Sequence, residues 1–227
     1  MMISVYDRHL QEVAQRIGSG ANTVPDQRAA FKQKYSFSTQ PFELQLLIWD
    51  SIWKYSNDAK IRLQAIFFLE QHMRQKEKLP LIWAVASTWQ DQVTDWGLCD
   101  SLAKVYTRAL EEMPRQVYPR LQAWNKDADI WKKRQSVVSL LYFHRTKASY
   151  LPFKKITPLL VSLLADEAYY VQKGLGWSIR EMYSVYPDDA YKWIEKHVKH
   201  ISAIAFTIAI EKMQPEEKDR LKALRKG

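Results

Sequence analysis

Two side chains of opposite chemical habit stand one helical turn apart in Trp96-Gly97-Leu98-Cys99-Asp100. On a helix, residues four apart share a face, so the indole and the carboxylate point the same way. A fixed carboxylate can stabilise a positive charge that develops in a transition state and can orient a water. An indole beside it adds its π face, worth roughly 0.5–2 kcal/mol towards a cation. Two further clusters repeat the pairing of aromatic and charge. Trp131 lies three before Arg134, next to Lys132 and Lys133. Trp177 lies four after Lys173 and three before Arg180. Cations at such positions suit phosphates, and aromatics suit sugars or bases.

Against a nucleic acid, Asp100 would repel phosphate, so its presence calls for something positive. A purine alkylated at N7 or N3 is cationic and already a good leaving group. Breaking its glycosidic bond puts positive charge on the deoxyribose. One carboxylate is then chemically sufficient, because the departing base needs no proton.

Helices must position these groups. The chain has 227 residues, 47% of them hydrophobic, with six glycines and nine tryptophans. That is enough for a core, and one continuous domain over residues 1–227 is expected. Asp or Pro precedes periodic apolar segments throughout, as at "DAKIRLQAIFFL", "DADIWKKRQSVVSLLYFHRT" and "DEAYYVQKGLGWSIREMY". Both residues favour helix starts. Strand-like alternation is absent, so an all-α chain of about a dozen helices is predicted. Aligning Arg62, Asp100, Arg134 and Lys173 gives spacings of 38, 34 and 39 residues. A period of that length is two helices with their turns and predicts a HEAT-like helical repeat solenoid. Its second helices would line a concave basic face, with these four residues as a ladder.

Formal net charge is +9, which favours polyanions. Between Pro114 and Leu160 ten Lys and Arg face only Asp127 and Asp129. Cys99 is the sole cysteine, so no disulfide can form within the chain and a cytoplasmic setting fits. No apolar run approaches a membrane span.

At these same residues the chain resembles the AlkD-like DNA alkylation repair glycosylases, which are built from HEAT-like repeats. The resemblance rests on Trp96 with Asp100, on Trp131 with Arg134 in "IWKKRQSVV", and on "VQKGLGWSIRE" from Val171 to Glu181. It covers about residues 40 to 215. It implies a monofunctional glycosylase that excises 7-methylguanine and 3-methyladenine types of base from double-stranded DNA, leaving an abasic site. It further implies Asp100 as the catalytic carboxylate, Trp96 and Trp177 against the lesion's deoxyribose and backbone, and Arg134 on the adjacent DNA. A monomer without metal or cofactor is implied as well. The chain departs from the pattern at both ends. The N-terminal aromatic segment is matched loosely by "FKQKYSFSTQPF", where Phe31 and Tyr35 compete for one role. Ser202 lacks the Arg that often follows it.

Plainer readings stand beside each of these. Trp96 and Asp100 could be a core indole and a capping or ion-paired Asp. Lys132, Lys133 and Arg134 could form a solvated face, and Trp131 could pack between repeats. Lys173 could lay its stem along a neighbouring helix, and Arg180 could pair with Glu181. Cys99 has no histidine near it in sequence, and His197 with His200 lacks further ligands for a metal. The rival functional readings are a non-catalytic HEAT-like protein that grips distorted or branched DNA, and a scaffold whose basic face takes an acidic partner.

Overall fold

A computed structural model describes residues 5–18, 20–142 and 149–227, with residues 5 and 6 described by backbone alone. Arg145 and Lys147, counted above in the basic stretch, lie outside the described residues, as does the end of the "DADIWKKRQSVVSLLYFHRT" segment. Thirteen α-helices are described, and no strand is found among these residues. They fall into two compact units, Met1–Val105 and Tyr106–Gly227. Among the described residues no helix is long and apolar enough to cross a membrane.

The first unit holds α1 (Val5–Ile17), α2 (Val24–Lys32), α3 (Phe42–Tyr55), α4 (Ala59–His72), α5 (Leu79–Trp89) and the start of α6 (Trp96–Glu112). Its core is aromatic. Trp49, Trp53, Phe37, Phe68 and Trp89 are all fully buried. Trp53 and Trp89 stack with centroids 4.6 Å apart at 9°, an arrangement that ties α3 to α5. The α2 start is a reciprocal cap, with the Thr23 hydroxyl accepting from the Asp26 N–H while the Asp26 carboxylate accepts from the Thr23 N–H. Such a box satisfies two of the amides that a helix start leaves orphaned.

The second unit takes the rest of α6 and α7 (Pro114–Asn125), α8 (Ile130–Val138), α9 (Phe153–Val161), α10 (Tyr169–Val185), α11 (Pro187–His197), α12 (Ala203–Ala209) and α13 (Pro215–Lys226). Val171, Leu175, Ile179 and Met182 form the buried stripe of α10. Their spacing of four, four and three is that of one helix face. On α12, Ala205 comes so close that a methyl group on Gly176 would lie 2.5 Å from the Ala205 carbonyl oxygen. Gly174 likewise leaves room for the Arg134 side chain, whose Cγ would be 3.0 Å from an added Cβ. The two glycines of "QKGLGW" are therefore packing residues, each admitting a different neighbour.

The helices repeat. Five of them, α4, α6, α8, α10 and α12, begin at residues 59, 96, 130, 169 and 203, so starts recur every 34 to 39 residues. Four are entered through a side-chain oxygen that accepts a first-turn N–H, and before α10 the Asp166 side chain accepts from Ala168, the residue that precedes the helix. The bonds are Asp58 to Lys60 (2.7 Å), Asp95 to Leu98 (3.0 Å), Asp129 to Trp131 (2.7 Å), Asp166 to Ala168 (2.9 Å) and Ser202 to Ala205 (3.1 Å). The expected all-α repeat is thus present, with the period read from the sequence.

Two outcomes follow from this packing. Gly176→Ala pushes a methyl into the α12 backbone and should lower unfolding free energy by about 1–3 kcal/mol. Gly20→Ala, where nothing lies within 4 Å, should be near neutral, and paired thermal melts compare the two. His72 sits between the Phe42 and Phe68 rings at 5.1 and 4.8 Å, with Lys78 Nζ 3.3 Å from its Nδ1. Burial, with that ammonium beside it, holds its imidazole below the usual value. Below about pH 6.5 the unfolded chain therefore binds the proton more readily, so stability falls as pH drops through that value. His197 is shifted the same way by burial and its basic neighbours. Denaturant titrations at neutral and mildly acid pH should show His72→Phe losing less stability on acidification than the parent.

Candidate nucleic-acid interface

The first turn of α6 answers the question of which carboxylate does what. Asp95 is the cap: its side chain accepts from Leu98 N–H and its carbonyl from Cys99 N–H. A methyl on Gly97 would lie 3.1 Å from the capping oxygen, so the glycine leaves that carboxylate its place. Asp100 is therefore not the cap of this helix. It stands half-buried one turn on, on the side of Trp96. Trp96 is no core residue, with 56% of its surface exposed. Cys99, between them, is fully buried and packs as a small apolar side chain.

In the second unit the signature residues line up along α10. Tyr169, Lys173, Trp177 and Arg180 are spaced four, four and three apart and so share a face. The Lys173 ammonium lies 5.3 Å from the centroid of the Tyr169 ring, which is 53% exposed. Trp177 is half-buried, meets Tyr142 at 4.9 Å, and has the Arg180 guanidinium 5.9 Å from its centroid. Trp131, on α8, packs at 5.0 Å on Tyr170, in keeping with the plainer reading of it as a residue between repeats. Tyr169 and Tyr142 were not anticipated. The first could have been found, since it stands one turn before Lys173. The second could not, because its contact with Trp177 is made across 35 residues of chain.

The basic residues correct the expected ladder. Arg62 is 5% exposed, and its guanidinium donates to the carbonyls of Trp53 (3.2 Å) and Gln92 (2.7 Å). Measured from the capping residues, Asp100 and Arg134 each lie five positions on, whereas Arg62 lies four after Asp58. Arg134 is 6% exposed, and its Nη1 donates to the Tyr170 carbonyl at 2.8 Å. It acts as a clamp from α8 to the first turn of α10, rather than as an outward rung. Lys132 pairs with Asp127 at 3.4 Å and Lys133 with Asp166 at 2.7 Å. Arg180 pairs with Glu181 at 3.3 Å and with Glu211. Much of the positive charge on α8 and α10 is thus met by carboxylates within its own unit. Lys173 differs, holding an exposed place over an aromatic ring. His197 packs on Trp193 at 4.6 Å, and among the described residues no group of three or more His, Cys, Asp or Glu could hold a metal ion.

The family model described as DNA alkylation repair enzyme matches residues 6–213 of the chain. Among solved structures, AlkD2 from Streptococcus mutans superposes with a TM-score of 0.58 at 15% identity, covering 97% of each chain. The protein smu.31 from Streptococcus mutans UA159 does so with a TM-score of 0.54 at 17% identity, covering 96% of this chain and 97% of the other. At such identities the likeness is one of fold. No curated protein matches the chain.

The clamp has a measurable consequence. Removing a buried, charged donor leaves the Tyr170 carbonyl without it and opens a gap beside Gly174. Arg134→Ala should therefore cost about 1.5–3 kcal/mol of stability in urea unfolding. A residue that served only as an outward phosphate ligand would leave unfolding unchanged.

Proposed function

This chain belongs to the DNA alkylation repair enzyme family, and on that premise we propose that it is a DNA N-glycosylase. Its substrates are cationic alkylated purines of the 7-methylguanine and 3-methyladenine type in duplex DNA. The observation that carries this reading is the first turn of α6. Capping is done by Asp95, so Asp100 is not needed for it, and the indole beside it is exposed.

The reaction needs little from the protein. The bond from C1′ to the purine nitrogen breaks, and its electron pair neutralises the cationic base. The deoxyribose is left with oxocarbenium character. Asp100 stabilises that charge and orients the water whose oxygen bonds to C1′; the water's proton passes to the carboxylate or to solvent. Trp96 and Trp177 give π faces to the sugar and backbone. Lys173 contributes a phosphate contact. Arg134 acts one step back, fixing the turn of α10 that carries Tyr169 and Lys173. Trp131, through Tyr170, supports the same turn. Lys132, Lys133 and Arg180 add to the field felt by DNA while their ion pairs hold the loops that face it. With water as the nucleophile, the product is an abasic site.

The rival reading is a protein that grips distorted or branched DNA without excising a base; it keeps the same exposed aromatic and basic contacts and gives Asp100 no chemistry.

The deciding measurement is release of 7-methylguanine from a methylated duplex by the parent and by Asp100→Asn. The glycosylase reading expects release by the parent and a loss of at least about a hundredfold in the variant, with DNA binding retained. Strand cleavage should appear only after heat or base. No release by the parent, with binding to distorted duplexes intact, would move the protein to the second reading.

A further inference from the structure

The first unit contains a cavity of about 540 Å³ bounded by α2, α3 and α4. That volume falls within the range of small-molecule sites, roughly 300–1,000 Å³. Its wall is aromatic. Phe31 meets Trp49 at 6.1 Å and Phe67 at 5.9 Å, and all three line the space. Trp49 and Phe67 are buried, while Phe31 remains half-exposed. Arg28, Lys32 and Lys34 add basic groups to the lining. The single carboxylate in the lining, Glu70, is already met by Arg28 at 2.7 Å and Lys104 at 3.0 Å. Lys32 and Lys34 are both exposed, and no ion pair to either is found among the described residues.

The chain strains to put Lys34 there. Its φ is 58°, the left-handed region that a side chain rarely adopts. Its carbonyl is held by the Arg16 guanidinium. This turn ends α2 and brings the second lysine back beside the first. Strain of this kind gathers at ligand clamps.

The half-exposed Phe31 ring beside two exposed ammonium groups, without ion pairs among the described residues, fits a ligand with a planar ring and a doubly charged anion. Gln45 and Gln71, also in the lining, offer both donors and acceptors to the polar edge of a ring. We propose that this cavity binds a nucleotide, its base against Phe31 and its phosphate on Lys32 and Lys34. The ligand is a free nucleoside monophosphate or the 5′-phosphorylated end of a strand, which share this chemistry. The proposal does not rest on the excision reading.

Calorimetric titration of the whole chain tests it, using 2′-deoxyguanosine 5′-monophosphate, the unphosphorylated nucleoside, inorganic phosphate, and a short 5′-phosphorylated single strand. The monophosphate should bind more tightly than about 1 mM, and nucleoside and phosphate alone at least about tenfold more weakly. Lys32→Glu with Lys34→Glu should weaken it by about tenfold or more, and Phe31→Ala should weaken it with the charge intact. Circular dichroism and melting should stay at parental values for the lysine pair, whose side chains are exposed. Asp100→Asn should leave this binding unchanged whatever it does to excision. A strand end that binds tighter than the monophosphate, and is lost with the same lysines, identifies the strand as the source; equal or weaker binding identifies the free nucleotide. No binding at millimolar monophosphate, or equal binding by the lysine double variant, overturns the proposal.

Discussion

A helix start leaves four backbone amides without partners, and the way this chain satisfies them sets nearly everything else. Asp58, Asp95, Asp129, Asp166 and Ser202 each place one oxygen at the entry of a helix. A cap fixes where the helix begins, and each further residue rotates the side chain by about 100°. Which side chains turn inward is then decided by their partners: Arg62, four past its cap, and Arg134, five past its own, are both internal clamps, while Asp100, also five past, is half-buried one turn from an exposed indole.

The same logic separates the roles of the acidic residues. Asp95 and Asp100 stand five residues apart and are alike in chemistry, yet the first is the helix cap and the second is not. Gly97 belongs to this arrangement, since a methyl there would press on the capping oxygen. In the second unit Gly174 and Gly176 serve packing in a comparable way, one admitting Arg134 and the other the α12 backbone. A motif that reads as a functional signature is therefore in large part a statement about how closely helices approach. Lys173 and Trp177, which lie outside that packing, occupy another face of α10.

Charge in this protein is spent locally before it is offered outward. Lys132, Lys133 and Arg180 each meet a carboxylate within their own unit, and such pairs at partly exposed positions add little to stability. Their value is to hold turns in place: Lys133 with Asp166 steadies the entry to α10, and Arg180 with Glu211 anchors its later turns to the segment after α12. The basic total of the chain thus overstates the charge left for a partner. The left-handed Lys34 is the counter-example, a residue held under backbone strain in the lining of a cavity rather than in a pair.

Local rules alone determined the all-α character and the period of the helix pairs. Caps, prolines and apolar spacing act over a few residues, and a sequence displays them directly. The tertiary structure decided which of the candidate cations face inward. Arg134 is directed by a carbonyl 36 residues away, and Lys133 by a carboxylate 33 residues away. It also decided that Tyr142 would lie on Trp177 and that Phe31, Trp49 and Phe67 would wall a cavity. Those outcomes depend on helices meeting at ångström distances. The side chain that wins each contact is fixed by the closeness of a neighbouring backbone, which spacing along one helix does not reveal.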